Sequence, residues 1–273
     1  MKYQPPDSWV TTAGWSDLAD ELDRWEGAER VATLWWRDDD ATAPSAELDR
    51  LLAIGRGIPI ALAVIPALAD SRLAAWLAGS PRLASTRRLA ILQHGWRHAT
   101  HAVDGKKSEF PPGRSCQAVA SDLAWGRGYL TRLFGNRALP VLVPPWNRFD
   151  ASFMTLLIPC GLVAISRAMP RRAASPVPDV AEVNIHIDLV AWTRGRGFIG
   201  EEAALAGLVG HLQARRHGSV DADEPTGILT HHLIQDEATD AFLLRLIATT
   251  GAHPAARWLE AGEVFAQSIT DRG

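Results

Sequence analysis

Three adjacent carboxylates, Asp38, Asp39 and Asp40, follow an apolar run and form the first group that could do chemistry. Their negative charges repel one another, and a bound divalent cation would offset that repulsion. The same residues would also suit a turn or a helix cap on the protein surface. The cluster therefore indicates a metal site only in combination with other ligands.

Two histidines, His94 and His98, have the spacing of a metal-binding pair. On a helical turn, residues four apart share one face, so both imidazoles could reach the same ion. An aspartate and two histidines would leave open positions on Zn²⁺, or on Fe²⁺, Co²⁺ or Mn²⁺. Such an ion lowers the pKa of bound water and polarises a carbonyl group, and a second carboxylate nearby could take the proton. These residues predict a metal-dependent hydrolase.

The segment after a fourth apolar run contains candidate substrate contacts. Pro144 and Pro145 would fix a stiff turn. Trp146 offers a flat face on which a sugar ring could rest, while Asn147 and Arg148 offer hydrogen bonds. We predict that the residues from Pro145 to Arg148 contact substrate; the alternative is a structural loop with an exposed tryptophan.

A further pair of histidines, His231 and His232, ends the last apolar run. A histidine there could act as a general acid toward the leaving group. Alternation along a strand sends neighbours to opposite sides, so at most one of the two is expected to be catalytic. Asp188 is a candidate for orienting it, as a carboxylate does in a serine protease triad.

Seven short apolar runs alternate with amphipathic segments and supply the scaffold for these residues. We predict strands at 31–36, 58–65, 88–93, 139–143, 162–166, 182–188 and 227–231, and helices at 45–55, 70–78, 115–134, 150–158, 201–216 and 236–249. Apolar strands between helices indicate a parallel sheet covered on both faces. Seven units predict an α/β fold, a distorted seven-stranded (β/α) barrel. Its active site would lie at the carboxyl ends of the strands, where the polar clusters fall.

The bulk composition is that of an ordinary globular protein. The chain has 273 residues, 47% of them hydrophobic, and a net charge of −3, which gives no sign of nucleic-acid or membrane-surface binding. We predict one domain over 1–273, with 1–30 as an N-terminal extension. No apolar stretch reaches membrane-spanning length and the N-terminus lacks a secretory pattern, so a cytoplasmic protein is expected. Cys116 and Cys160 are predicted to be free thiols. The sequence does not predict the oligomeric state.

The order and strand-end placement of these motifs resemble the polysaccharide deacetylases, carbohydrate esterase family four, over residues 31–235. Residues 36–40 are similar to the family's Thr-Phe-Asp-Asp-Gly motif, and 94–98 to its His-Ser/Thr-x-x-His motif. Residues 143–147 are weakly similar to Arg-x-Pro-x-Gly, and 229–231 to Leu-x-His. The resemblance implies a distorted seven-stranded (β/α) barrel that binds a divalent metal, with zinc expected.

The resemblance also implies roles for individual residues. Asp38 would be the catalytic base, Asp39 a metal ligand together with His94 and His98, and His231 the general acid. Asp40 stands where the family has glycine and is predicted to contact substrate or the metal. A shift of one residue would instead make Asp40 the ligand and Asp39 the base.

Other departures leave further alternatives open. Val143 stands where the family has an arginine that steadies the catalytic aspartate; Arg37 or Arg148 could supply that charge. His232 is predicted to contact substrate. Lys106, Lys107 and Glu109 are expected to form a solvated charged loop, with a movable lid as the alternative.

The predicted activity is removal of an N-acyl group, usually N-acetyl, from an amino sugar or related carbohydrate. One alternative is a hydrolase of another non-peptide C–N bond in a small soluble amide. The other is a non-catalytic carbohydrate-binding barrel, which the missing family arginine would favour. Retaining so many carboxylates and imidazoles in a buried site without a metal would be costly, and this argues against the last alternative.

Overall fold

The computed structural model of the protein describes residues 12–79, 88–193 and 195–266. The predicted α/β class is confirmed: a parallel sheet curves around an apolar interior and carries helices on its outer side. The strands are β1 (Ala32–Ala41), β2 (Ile60–Val64), β3 (Leu89–His94), β4 (Ala138–Val143), β5 (Ala164–Ile165), β6 (Ala181–Glu182), β7 (Ile187–Asp188), β8 (Thr226–Thr230) and β9 (Ala256–Trp258).

The α-helices agree with the predicted segments except near the two ends of the chain. They are α1 (Trp15–Gly27), α2 (Ala46–Ile54), α3 (Ser71–Gly79), α4 (Cys116–Phe134), α5 (Glu201–His217), α6 (Glu237–Gly251) and α7 (Ala261–Val264). Ser45 caps α2 as expected, its side chain accepting a hydrogen bond from the Leu48 amide. Residues 151–156, predicted to be part of a helix, form a 3₁₀ helix. Among the described residues, no helix is both long and apolar enough to cross a membrane.

The sheet has the strand order β6-β5-β4-β3-β2-β1-β8-β7, and β9 pairs with the start of β1. The nine strands found in the described residues exceed the predicted seven for two reasons. β9 is an addition, and β6 and β7 are the two ends of a single extended stretch that was predicted as one strand. The start of residues 181–188 pairs with β5 and its end with β8. Between them the Ile185 amide donates to the Arg167 carbonyl, and the His186 amide donates to the Gly227 carbonyl. This stretch, which we call the closing segment, therefore joins the two edges of the sheet.

The pleat of the strands divides the apolar side chains into two layers. Trp35 of β1 points into the barrel, where small residues such as Ala61 and Ala63 of β2 leave room for it. Trp36 points outward into the layer between sheet and helices, together with Leu62. Because parallel neighbours in register share a face, this division also decides where each polar residue at the strand ends points.

The N-terminal part of the described chain belongs to the main core. Leu18, Leu22 and Trp25 of α1 are fully buried in the layer outside the sheet. Glu21, also buried, accepts two hydrogen bonds from Arg216 of α5 at 2.8 and 3.0 Å. The segment predicted as an extension thus contributes a helix to the core from residue 15 onward.

One strand boundary differs from the prediction in a way that matters for function. The aspartates were expected to follow the first strand, but β1 continues through them to Ala41. Its register with β2 shifts between Asp38 and Ala41, and Asp40 has a φ of 72°. This is a β-bulge, which inserts a residue and redirects the side chains beyond it.

Candidate active site

The two predicted metal-binding histidines lie on a tight turn at the carboxyl end of β3. His94 is the last residue of the strand and is buried, while His98 is partly exposed. Gly95 and His98 adopt φ values of 59° and 56°, which turn the chain back over the barrel mouth. A Cβ on Gly95 would lie 1.9 Å from Glu109 and 2.7 Å from Pro145, so only glycine fits.

The structure groups Asp40 with these histidines. Its Oδ1 atom lies 3.1 Å from Nε2 of His94 and 3.3 Å from Nε2 of His98. The three ligand atoms lie within 4.8 Å of one another, as metal ligands must. The bulge in β1 carries the third aspartate of the run to this position. We call Asp40, His94 and His98 the metal triad.

The hydrogen bonds of His94 prepare it to bind a metal ion. Its Nδ1 atom donates to the Val143 carbonyl oxygen at 2.9 Å, so its Nε2 atom faces Asp40 and His98 and would become a metal ligand on giving up its proton. Burial acts against a charged imidazole, but the carboxylates of Asp39 and Asp40 outweigh it and raise the pKa of His94. Burial and the neighbouring His94 lower the pKa of His98.

The carboxyl group of Asp40 is ionised. Burial would raise the pKa of this carboxyl, yet the hydrogen bond from His94 and the nearby imidazoles lower it far below the ordinary value. Asp40 is therefore an anion across the physiological range. One carboxylate and two imidazole nitrogens form a donor set that suits zinc and related divalent ions.

Arg37 and Asp39 form a buried ion pair that points into the barrel. Nε of Arg37 donates to Oδ1 of Asp39 at 2.8 Å, and Nη2 donates to Oδ2 at 3.0 Å. The guanidinium is fully buried and also donates to Oγ of Ser166 and Oδ1 of Asn147, each at 2.8 Å. Its orientation is thus fixed from three sides, and with it that of the Asp39 carboxylate.

Asp38 points the other way. Its register partners Leu62 and Thr230 mark the outer face of the sheet, whereas Arg37 pairs with inward-facing Leu229. The Asp38 carboxylate accepts bonds from Nδ1 of His232 at 2.5 Å, the Thr230 hydroxyl at 2.7 Å and the His232 amide at 3.0 Å.

Asp38 is fully buried in these contacts and lies behind the strand, away from the barrel mouth. Burial opposes a charged His232, but Asp38 outweighs it and raises the pKa of that imidazole. This geometry favours structural roles for both residues over the predicted roles in catalysis and substrate binding.

His231 faces the barrel mouth, because it continues the inward side of β8 that Leu229 begins. Within the described chain its buried Nδ1 atom has no hydrogen-bond partner. The indole of Trp192 stands edge-on to its ring, with centroids 4.8 Å apart, and donates a 2.7 Å hydrogen bond to Asp188. Burial raises the pKa of Asp188, and the charge of His231 opposes that rise.

The turn after β4 contributes to the site in ways that differ from residue to residue. Trp146 and Asn147 both have positive φ, 56° and 55°. The Trp146 ring packs on His98 with ring centroids 4.4 Å apart. Oδ1 of Asn147 accepts a hydrogen bond from Arg37, and Pro145 packs against Gly95. Arg148 donates to the Lys107 carbonyl at 2.5 Å and lines, with Asn147, a cleft of about 540 Å³ beside the site.

Glu109 has a role that the sequence analysis missed. Instead of lying in a solvated loop, it is fully buried and accepts hydrogen bonds from the Trp96 and Arg97 amides at 3.1 and 2.7 Å. These are the central amides of the turn between His94 and His98. The sequence carried no clear signal for this role, because glutamate is rarely buried and its partners here are backbone amides of a turn. Lys106 is exposed and lines the cleft.

The fold has several known counterparts. A protein assigned as a polysaccharide deacetylase from Mycobacterium smegmatis superposes with a TM-score of 0.59 at 14% identity, covering 89% of this chain and 92% of that one. The Puue allantoinase superposes with a TM-score of 0.53 at 11% identity, covering 89% of this chain and 91% of the allantoinase. A family 4 acetyl xylan esterase from Clostridium thermocellum was solved with a cobalt ion. It superposes with a TM-score of 0.50 at 14% identity, covering 86% of this chain and 91% of the esterase.

At the level of sequence, no protein-family model and no curated protein matches the chain. At such low identities the structural similarities establish the fold. They confirm the resemblance to the polysaccharide deacetylase barrel over nearly the whole length of the chain.

Proposed function

We propose that the protein is a metal-dependent hydrolase that removes an N-acyl group, N-acetyl in the first place, from an amino sugar or related carbohydrate. The observation that carries the proposal is the pairing of a metal triad with a buried, arginine-held carboxylate at one barrel mouth. The deacetylase and acetyl esterase among proteins of the same fold support this choice of reaction.

In this proposal, Asp40, His94 and His98 hold the metal. A bound divalent ion would supply Lewis acidity, activating water and stabilising the negative charge that develops on the carbonyl oxygen. Zinc suits the donor set best, with Fe²⁺, Co²⁺ and Mn²⁺ as further candidates. The chain therefore aligns with the family motif after a shift of one residue, so that Asp40, the third aspartate, is the metal ligand.

Asp39 is the proposed general base. It lies beside the triad, close enough for its charge to raise the pKa of His94. Val143 occupies the position of the family arginine, and Arg37 supplies that positive charge instead. Arg37 reaches the Asp39 carboxylate from two residues earlier on the same strand. Asp39 would take a proton from water as oxygen attacks the acyl carbon.

His231 is the proposed general acid. It would donate a proton to the departing nitrogen as the C–N bond breaks, so that one water molecule and the amide give a carboxylic acid and an amine. Asp188 is close enough to interact with its charge, and Trp192 limits its access to solvent. Trp146 and Arg148 border the space in which the substrate would lie.

Acetate release from N-acetylated sugars by zinc- or cobalt-loaded protein tests the proposal. We expect release by the native protein, and loss of release with retained metal in Asp39→Asn. Equal release by native protein and Asp39→Asn would refute the assignment of the base. No acetate from any N-acetyl sugar, with metal bound, would refute the substrate class.

The second candidate is hydrolysis of another non-peptide C–N bond in a small amide. The allantoinase of the same fold favours it. Release of ammonia or of another acid from small amides, without acetate from sugars, would distinguish it. The third alternative, a non-catalytic barrel, loses its main support because Arg37 supplies the charge thought to be missing.

A further inference from the structure

The cleft of about 540 Å³ beside the active site is large enough for a sugar that carries a substituent. Its walls come from the loops after three neighbouring strands: residues between 101 and 112 after β3, residues 147–150 after β4, and Arg167 after β5. The loops that follow neighbouring parallel strands lie at one end of a barrel. The cleft therefore belongs to the same end of the barrel as the metal triad.

Asn147 connects the cleft to the proposed general base. It lines the cleft, and its Oδ1 atom accepts a 2.8 Å hydrogen bond from Nη2 of Arg37. The same Nη2 atom donates to Oδ2 of Asp39 at 3.0 Å. The preceding residue, Trp146, packs on the triad imidazole of His98. A ligand that contacts Asn147 in the cleft would therefore be separated from the base by a single guanidinium group.

Arg148 brings an uncompensated positive charge to the cleft. Its Nη1 atom is held by the 2.5 Å hydrogen bond to the carbonyl oxygen of Lys107, which is a neutral acceptor. Within the described ranges of the chain, this partly buried guanidinium forms no ion pair. Burial lowers the pKa of Arg148, and no carboxylate opposes that effect. An anionic ligand would supply the missing partner.

Two other charged residues on the walls already have partners. Arg167 donates two hydrogen bonds to the Glu182 carboxylate, at 2.9 and 2.8 Å. The Asp150 carboxylate accepts hydrogen bonds from the amide and the hydroxyl group of Ser152, at 3.0 and 2.6 Å. Neither residue therefore offers a free charge to a ligand.

The polar groups that stay available are mainly hydrogen-bond donors. Two cations, Arg148 and the exposed Lys106, line the cleft together with one exposed carboxylate, that of Asp104. Asn147 adds its Nδ2 group, because its Oδ1 atom is used by Arg37. A phosphate monoester carries up to two negative charges and three acceptor oxygens near neutral pH, which matches this excess of cations and donors.

We propose that the cleft binds the phosphate group of a phosphorylated amino sugar whose N-acyl group is hydrolysed at the metal triad. The inference rests on the proposed function for the bond that is cleaved. It adds that the substrate is a small anion, recognised by Arg148, Lys106 and Asn147. The phosphate ester stays intact, and water and the amide still give a carboxylic acid and an amine.

Binding of phosphate esters that cannot react tests the cleft alone. The probes are glucose 1-phosphate, glucose 6-phosphate and glucose, titrated calorimetrically into zinc-loaded native protein and Arg148→Gln. We expect at least one phosphate to bind the native protein about tenfold or more tightly than glucose, and Arg148→Gln to remove most of that difference. Phosphate bound to the zinc ion alone would not depend on Arg148.

Arg97→Gln is the matched control. It removes the same charge from an exposed arginine in the turn between His94 and His98, outside the cleft, and should leave the preference for phosphate in place. Equal thermal midpoints would show that each variant is folded. Equal binding of glucose and both phosphates, a preference that survives Arg148→Gln, or an equal loss in Arg97→Gln would each overturn the inference.

Turnover separates the inference from the proposed function. Zinc-loaded native protein should release acetate from a phosphate of N-acetylglucosamine with a kcat/KM about tenfold or more above that for N-acetylglucosamine, and Arg148→Gln should abolish this preference. Equal efficiency with both substrates would overturn the inference and leave the proposed function standing. Arg148-dependent binding of the phosphates, without acetate release from any N-acetyl sugar, would refute the proposed function and leave the anion site standing.

Discussion

Replacing Asp40 by asparagine should remove the metal without unfolding the protein. The substitution keeps the volume of the side chain but removes the charge that lies 3.1 and 3.3 Å from the two imidazole nitrogens. Asp40 is also partly exposed, so its loss leaves no buried cavity. The effect should therefore appear in metal binding rather than in folding.

The size of the effect follows from the number of ligands. Four-ligand structural zinc sites bind with about 10–16 kcal/mol, so one ligand contributes roughly 2.5–4 kcal/mol. Loss of one protein ligand of three should weaken zinc binding by roughly 10²–10³-fold. The asparagine oxygen can still approach the ion, which places the expectation at the lower end of this range.

Zinc affinity can be measured by competition with a chromophoric chelator, in native protein, Asp40→Asn and Asp39→Asn. Asp39→Asn is the matched control because it removes the same charge from the adjacent residue. That carboxylate is engaged by Arg37 and lies outside the triad. We expect the control to change affinity by less than about tenfold, through the loss of nearby charge alone.

The reverse pattern would refute the reasoning. If Asp39→Asn loses the metal and Asp40→Asn retains it, the ligand is Asp39. The bulge would then not determine which aspartate binds the metal. Loss of metal in both variants to the same extent would mean that the carboxylates act together. In that case the division into ligand and base would fail.

Three further expectations concern other parts of the site and core. Arg37→Lys keeps a charge but loses the paired contact with Asp39, so hydrolysis should fall by about 100-fold at unchanged metal content, as measured by single-turnover kinetics and metal analysis. Gly95→Ala should cost about 2 kcal/mol or more in denaturant unfolding and weaken metal binding, because its Cβ would overlap Glu109 at a positive φ. Burial lowers the pKa of His211 well below 6.5, so below about pH 6.5 the unfolded chain binds a proton that the folded protein does not, and stability is lost as pH falls. Relative to His211→Gln, the native protein should lose up to about 1.4 kcal/mol per pH unit between pH 6.5 and 5, as measured by urea unfolding.

The scaffold was largely predictable from the sequence because buried parallel strands have a strong pattern. The apolar runs ending near Trp36, His94 and Val143 became β1, β3 and β4, and the polar groups after them meet at one mouth. Each of these strands is buried on both faces, so hydrophobicity alone marks it. β9 is short and half-buried, and its sequence carries no comparable signal.

The roles of the three aspartates were not predictable in the same way. Strict alternation would send Asp38 and Asp40 to one face, but the bulge brings Asp40 to the histidines while Asp38 stays on the outer side. A positive φ at an aspartate depends on its tertiary partners rather than on local sequence. The pairing of Arg37 with Asp39 could have been inferred, since residues two apart on a strand share a face.

The closing segment has a consequence for the dynamics of the barrel. Because residues 181–188 supply hydrogen bonds to both edges of the sheet, displacement of this segment would release both edges together. Local opening should occur as one cooperative unit, in which the amides of Val183, Ile185 and His186 exchange with solvent at a common rate. Ser166 and Asp188 lie at either side of this seam, so the same event would loosen the supports of both the proposed base and the proposed acid at once.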